Sequence, residues 1–372
     1  MLQAKDNPAA NVADRTSTIR LTGLKTFIAG AKVFLKFDTN HGIVGWGEID
    51  QLQPVVAQTL VQSLFELLEN ENPTRIEHLW QKLYRSHRDM RGGAFMMHTL
   101  AGIDMALWDI AGKLWGVPIH RLLGGPTRDK IRVYPSAKAA KFGGGPTEFS
   151  GTPAEIDRYV QLLATYRKKV GPDGIIILDA HSALPPPFLI QLASRIEPDQ
   201  ILFIEEPAVP GNIEVFKRLK EAIRIPLATG ERDHGIWGFL PYLQERCLDV
   251  IQPDLCHTGG ITQMKKIAAI AEAYMTPLAP HCVASEVGVT ASLHTCAAIP
   301  FFVIHEYYPN IVKGTFIKKT WTVDEEGYAS LPQEPGLGIE IDEPALIDYP
   351  NTNKRPWKWP GYRMKDGSIA DY

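Results

Sequence analysis

At 372 residues and a formal net charge of −3, the chain is too long for one small core and carries no charge excess that would gather a polyanion, which argues against nucleic acid as a partner. Its 45% hydrophobic and 22% charged residues are ordinary for a globular protein, and no segment reaches membrane-span length, so a membrane protein is not expected. The polar first twenty residues lack a signal-peptide core, and Cys247, Cys256, Cys282 and Cys296 form no C-x-x-C pair, which together predict a cytoplasmic protein with reduced, structural thiols.

Thr18–Ile28 and Lys32–Phe37 are rich in β-branched and aromatic residues, and His41-Gly42 turns the chain into Ile43–Glu48, which predicts a small antiparallel meander. Apolar residues recur at helical spacing from Pro54 to Leu83 and over Met96–Leu114, so helices follow strands and the first unit is α+β. Pro118, a Gly-Gly-Pro turn and a charge cluster mark Gly116–Asp129 as a linker.

Beyond the linker the rhythm changes. Short apolar runs at Ile175–Leu178, Ile201–Ile204, Leu227–Thr229, Val250–Ile251, Leu278–Ala279 and Phe302–Ile304 alternate with amphipathic helices, the pattern of parallel strands buried on both faces. Each run ends near an acidic residue or a histidine: Asp179, Glu205, Glu231, Asp254, His281 and Glu306 follow at about 25-residue intervals. In an α/β TIM barrel all strand C-termini lie on one face, so these six side chains would converge on one mouth. The chain divides accordingly into a capping domain over 15–125, a barrel over 126–335 and a segment over 336–372 that packs back on the cap.

Asp179, Glu205 and Glu231 on adjacent strands form an all-oxygen, triply negative set, which suits a hard divalent cation such as Mg²⁺. Three neighbouring buried anions without a cation would repel or take up protons. Asp254 and His281 end consecutive strands, and a carboxylate behind an imidazole fixes its tautomer and raises its basicity, as a general base requires. His181, two residues beyond Asp179, points to the same region and suits an acid. A cation facing a histidine base points to abstraction of a proton next to a carboxylate.

The motifs GIVGWGE (42–48), IDMALWDIAGKLWGVPIHRLLGG (103–125), FIEEP (203–207), ATGER (228–232), IQPD (251–254), Gly259-Gly260-Ile261 and Ala279-Pro280-His281 together resemble the enolase superfamily, in its mandelate racemase and muconate lactonising branch. Within that branch the chain is most similar to the sugar-acid dehydratases of galactonate-dehydratase type. The resemblance implies a modified (β/α)₇β barrel under an α+β cap, Mg²⁺ on Asp179, Glu205 and Glu231, a His281–Asp254 base and Glu306 at the substrate carboxylate. It makes His181 the acid that helps hydroxide leave, and implies a small-molecule sugar acid as substrate and assembly into homo-oligomers. Specificity would lie around Gly30–Lys32, Gln51–Val55 and Gly143–Gly151. The same scaffold also carries cycloisomerases, epimerases and racemases, and a catalytically silent relative is the rival of a different class.

One stretch departs from the family pattern. Between Ile131 and Asp179 there is room for one helix, Thr152–Val170, so the barrel is expected to lack the helix between strands one and two. Many relatives carry K-x-K at the end of strand two; here Lys138 and Lys141 are spaced K-A-A-K, and both are substrate-binding candidates. Without the lysine pair a two-base racemase is disfavoured and a dehydratase is expected. Glu206 and Arg232, each following a candidate metal ligand, are expected to orient it.

Overall fold

The computed structural model describes residues 18–143, 152–196, 200–309, 311, 316–349 and 366–368. The cap begins with an antiparallel meander of β1 (Leu21–Ala29), β2 (Lys32–Thr39) and β3 (Val44–Ile49), in that order. Gly30, at φ +63°, opens the two-residue turn that pairs Ala29 with Lys32. Helices α1 (Pro54–Phe65) and α2 (Ile76–Ser86) correct the single helical stretch expected from Pro54 to Leu83, because a turn containing Asn70 at φ +63° and Pro73 intervenes. α3 (Ala94–Trp115) lies across the meander. A Cβ on Gly47 would stand 2.0 Å from the Gly102 carbonyl oxygen, so only glycine lets β3 come this close to the helix. The helix stops at Gly116, in the left-handed conformation at φ +69°, and α4 (Ile119–Leu122) leads into the barrel.

The barrel strands are β4 (Lys130–Tyr134), β5 (Ala139–Gly143), β6 (Ile175–Asp179), β7 (Ile204–Glu205), β8 (Leu227–Thr229) and β9 (Val250–Ile251), followed by parallel bridges at Leu278 and Phe302 and by β10 (His305–Glu306). The last strand therefore pairs regularly two residues beyond the expected Phe302–Ile304 run. α5 (Pro153–Val170), α6 (Pro186–Ser194), α7 (Ile213–Ala222), α8 (Gly235–Glu245), α9 (Gly260–Ala273) and α10 (Glu286–Ala297) alternate with the strands. The interior is filled by Tyr134, Ala139, Ile177, Phe203, Ala228, Val250, Ala279 and Ile304, one from each of eight strand positions, so the barrel is a packed core and its chemistry is confined to the rim.

The anticipated missing helix leaves β4 and β5 joined by four residues, Pro135–Lys138. β5 pairs with β6 over Ala139↔Ile175 to Gly143↔Asp179, but β4 lies in a separate sheet between β10 and β12 (Tyr328–Ser330). A strand from the end of the chain thus covers the edge of β4 that does not face β10.

The C-terminal segment adds β11 (Ile317–Lys319), β13 (Ile339–Ile341) and α11 (Glu343–Ile347), with β11 and β13 antiparallel. Within it, Glu343 meets Lys25 at 2.9 Å and Lys36 at 2.6 Å, and the Leu337 amide donates to Asp109 at 2.8 Å. Cap and barrel also join through Asp104 of α3, whose carboxylate accepts from the Thr262 amide (3.0 Å) and hydroxyl (2.5 Å) in the first turn of α9. All four cysteines are free and buried, and among the described residues no helix is long and apolar enough to cross a membrane.

Candidate active site

The six residues expected at the mouth are brought to one end of the barrel by a shared register. Asp179 pairs with Glu205 across β6 and β7, and Glu306 closes β10 opposite Tyr134. Glu231 follows Gly230, whose φ of +145° and whose missing Cβ, which would stand 2.6 Å from the Phe239 ring, admit only glycine. Asp254 and His281 lie just past β9 and the Leu278 bridge.

Lys141 organises one wall. Its side chain rises from β5 and its Nζ stands 2.9 Å from Asp179, 3.1 Å from Glu205 and 2.6 Å from Glu306. Burial disfavours the ammonium, but Glu205, Glu306 and Asp179 hold its pKa well above the ordinary lysine value. Burial also opposes the charge on Asp179, yet Lys141 and His181 bring its pKa down to about 2. Glu205 goes the other way: burial, reinforced by Asp179, Glu306 and Glu231 against Lys141, pushes it up to about 8. Tyr134 completes this wall, its hydroxyl 3.5 Å from Glu205.

The facing wall holds the imidazoles. His281 Nδ1 lies 2.7 Å from Asp254 Oδ2, and its Nε2 faces Glu231 at 3.3 Å and Glu306 at 3.6 Å. Burial opposes protonation of His281, but Glu231, Glu306 and Asp254 raise its pKa well above the ordinary value. Asp254 is held well below the usual carboxylate range despite burial, by His257, His281 and the Cys256 amide at 2.7 Å. His181 Nε2 stands 2.9 Å from Asp179 Oδ2, a bond that raises its pKa.

Lys138 is a correction. It precedes β5, its carbonyl accepts from the Ile175 amide at the start of β6, and its exposed side chain lines a cavity of about 300 Å³ with Arg132 and Asp173 at the opposite end of the barrel. The register Ala139↔Ile175 fixes this, because it places Lys138 before the first paired residue and Lys141 level with Ile177 inside the strand. The Gly143–Gly151 stretch falls, apart from Gly143, outside the described residues. Two features escaped sequence reasoning. His257 Nε2 approaches Asp254 at 3.7 Å while its ring stacks on His98 of the cap at 4.2 Å; its spacing three residues after Asp254 was the available signal. Lys32, bonded to Asp50 at 2.5 Å and to the Val283 carbonyl at 3.0 Å, ties the β1–β2 turn to the loop after His281.

A hard divalent cation fits the chemistry of the first wall. Asp179 Oδ2 is buried against only the Lys141 ammonium and the His181 imidazole, each at 2.9 Å, and the raised pKa of Glu205 records an excess of negative charge that a cation would relieve. Among the described residues the one trio of candidate ligands mutually within 4.8 Å is Asp254, His257 and His281, so Asp179, Glu205 and Glu231 do not converge this closely.

Residues 129–345 match the enolase C-terminal domain-like family, and residues 11–124 match the mandelate racemase/muconate lactonizing enzyme N-terminal domain. The chain belongs to the mandelate racemase/muconate lactonizing enzyme family of the enolase superfamily. A D-galactonate dehydratase from Variovorax paradoxus is 34% identical over 385 aligned residues, spanning 95% of this chain and all of that protein. One from Pectobacterium atrosepticum is 35% identical over 91% of this chain and 96% of its own length. Among solved structures, an enolase from Agrobacterium radiobacter, a candidate galactarate dehydratase with bound sodium and L-malate, matches with TM-score 0.85 at 28% identity, over 95% of this chain and all of that one. Dehydratases are carbon–oxygen lyases, and this chain is an enzyme of that class. The modified barrel under an α+β cap expected from the sequence is the fold of the family.

Proposed function

We propose that the chain dehydrates a sugar acid, removing the proton beside the carboxylate and the hydroxyl on the next carbon to leave a 2-keto-3-deoxy acid after the enol tautomerises. The single observation that carries this reading is the Asp254-backed His281 facing buried carboxylates across one barrel mouth. The dehydratase names of the relatives favour an aldonic or aldaric acid.

Asp179, Glu205 and Glu231 would hold Mg²⁺, which when bound supplies positive charge beside the substrate carboxylate and lowers the cost of charge developing there. The chain's own residues carry the proton transfers. Asp254 fixes the His281 ring with Nε2 toward the mouth, where the neutral imidazole takes the C2 proton. His181, whose protonated form the bond to Asp179 favours, gives a proton to the departing C3 hydroxyl, which leaves as water. Lys141 offers the buried positive charge for the substrate carboxylate, beside Glu306. Lys32 and the residues around Gln51 bound the distal end of the substrate. A homo-oligomer belongs to the same proposal, since Val55, Val56, Phe95 and Trp115 stand exposed on cap helices. So does a reducing, cytoplasmic setting, which suits four unpaired thiols.

Screening aldonic and aldaric acids with Mg²⁺ for semicarbazide-reactive product identifies the substrate. On that substrate, His281→Asn is expected to lose both keto-acid formation and C2 deuterium exchange by on the order of a thousandfold. Undiminished turnover in that variant would refute the assignment of the base.

A further inference from the structure

His181 stands on an uncommon piece of backbone. It and Ser182 are consecutive non-glycine residues in the left-handed region, at φ +45° and +54°, and Glu206 on the neighbouring loop is there too, at +45°. L-residues persist in this region only where their surroundings over-determine it. The surroundings here converge on one side chain. The Ser182 amide donates to the Glu206 carbonyl at 2.9 Å, the Arg232 Nε donates to the Glu206 carboxylate at 2.6 Å, and the Arg232 Nη2 donates to the Ser182 hydroxyl. Glu206 is buried, whereas Arg232 is about one-third exposed and reaches back from the loop after β8 to join the loops after β6 and β7. Only a guanidinium, with donors in a rigid planar fork, meets a carboxylate and a hydroxyl in two directions at once; a lysine ammonium at the same place is a point charge on a flexible stem.

We propose that Arg232 is a positioning residue for the elimination step: its fork locks the left-handed His181–Ser182 turn so that His181 Nε2 stays beside Asp179, where the β-hydroxyl departs. The proposal deepens the dehydratase reading and rests on His181 being the acid. Among the described residues the Arg232 contacts run to Glu206 and Ser182 and none joins it to His281 or Asp254, so the two half-reactions respond differently to its loss. With the turn relaxed, His281 still breaks the C2–H bond, but the C3–O bond lacks its proton donor, and the carbanion recovers a proton from solvent instead of expelling water.

The test uses the full-length chain with Mg²⁺ and D-galactonate, or the panel acid turned over fastest, in deuterium oxide. Keto-acid formation and C2 deuterium incorporation are measured for Arg232→Lys, Arg232→Gln, Ser182→Ala and His181→Asn. Both Arg232 variants are expected to dehydrate more slowly by on the order of a hundredfold, as for a displacement of about an ångström, while C2 exchange stays within about threefold of the unmodified chain. Ser182→Ala, which removes one arm and keeps the Glu206 pair, is expected to move the same ratio in the same direction by a smaller factor. Arg232 variants that dehydrate normally, or that lose exchange and dehydration by the same factor, overturn the proposal. If an Arg232 variant does not fold by circular dichroism, the Ser182→Ala ratio decides: an unchanged ratio overturns it. His181→Asn separates this failure from that of the underlying reading, since undiminished dehydration there removes the acid itself, whatever Arg232 does.

Discussion

Buried carboxylates crowd both walls of the barrel mouth, and the two walls neutralise them by different means. Around Asp179 and Glu205 the compensating charge is a lysine ammonium within 2.9 and 3.1 Å, carried on β5 just after the short β4–β5 connection. Around Asp254 the partners are hydrogen bonds from the His281 ring and the Cys256 amide, each at 2.7 Å, with the His257 ring near by at 3.7 Å. On the proposed reading the first solution is exchangeable, because a divalent ion would compete with the flexible ammonium for the same oxygens. The second is fixed, which is what a base of defined tautomer needs.

Lys141→Met breaks the exchangeable wall. Removing its ammonium takes the cation away from buried Glu205 and Glu306, which costs about 3–5 kcal/mol without a divalent ion. The variant is therefore expected to melt well below the unmodified chain in EDTA, and to recover most of that loss in Mg²⁺ with an apparent Mg²⁺ affinity roughly tenfold tighter. Melting curves and calorimetric titration check this; a Tm and an affinity both unchanged would mean that Lys141 does not compete for the site.

The next test makes the walls communicate. Glu231 and Glu306 help to raise the His281 pKa, and only the neutral ring can accept a proton, so the rate is expected to rise with pH through that pKa. A cation that takes up the charge of Glu231 loosens its hold on the His281 proton. The rising limb should then move to lower pH, by about one unit, as Mg²⁺ increases from scarce to saturating. A limb that ignores Mg²⁺ would separate the two walls electrostatically. The smallest effect is expected at Lys138→Ala, whose exposed side chain lies at the other end of the barrel: turnover unchanged and stability within about 0.5 kcal/mol.

The regular half of the barrel was legible because each βα unit has nearly the same length, so Asp179, Glu205, Glu231, Asp254, His281 and Glu306 recur in phase with the strands. The absent helix was also legible, from the shortage of residues before Asp179. Which lysine enters the barrel was not, because Lys138 and Lys141 are told apart only by the pairing of Ala139 with Ile175, a contact across an interval whose geometry the missing helix changes. The helical spacing from Pro54 to Leu83 did not reveal the break between α1 and α2 for a local reason: periodicity survives a turn that keeps the apolar face in phase. Contacts such as Glu48 with the Ser285 amide at 2.9 Å join residues distant in the chain and leave no local signal in either segment.

The first barrel strand has both its neighbours late in the chain, β10 on one edge and β12 on the other. A nascent polypeptide leaving the ribosome would therefore expose β4 with neither neighbour until His305–Glu306 has been made, and with one edge open until the region around Tyr328 follows. Synthesis that stalls before that point would present an open strand edge to chaperones and proteases, and quality control of this enzyme would turn on its last segment.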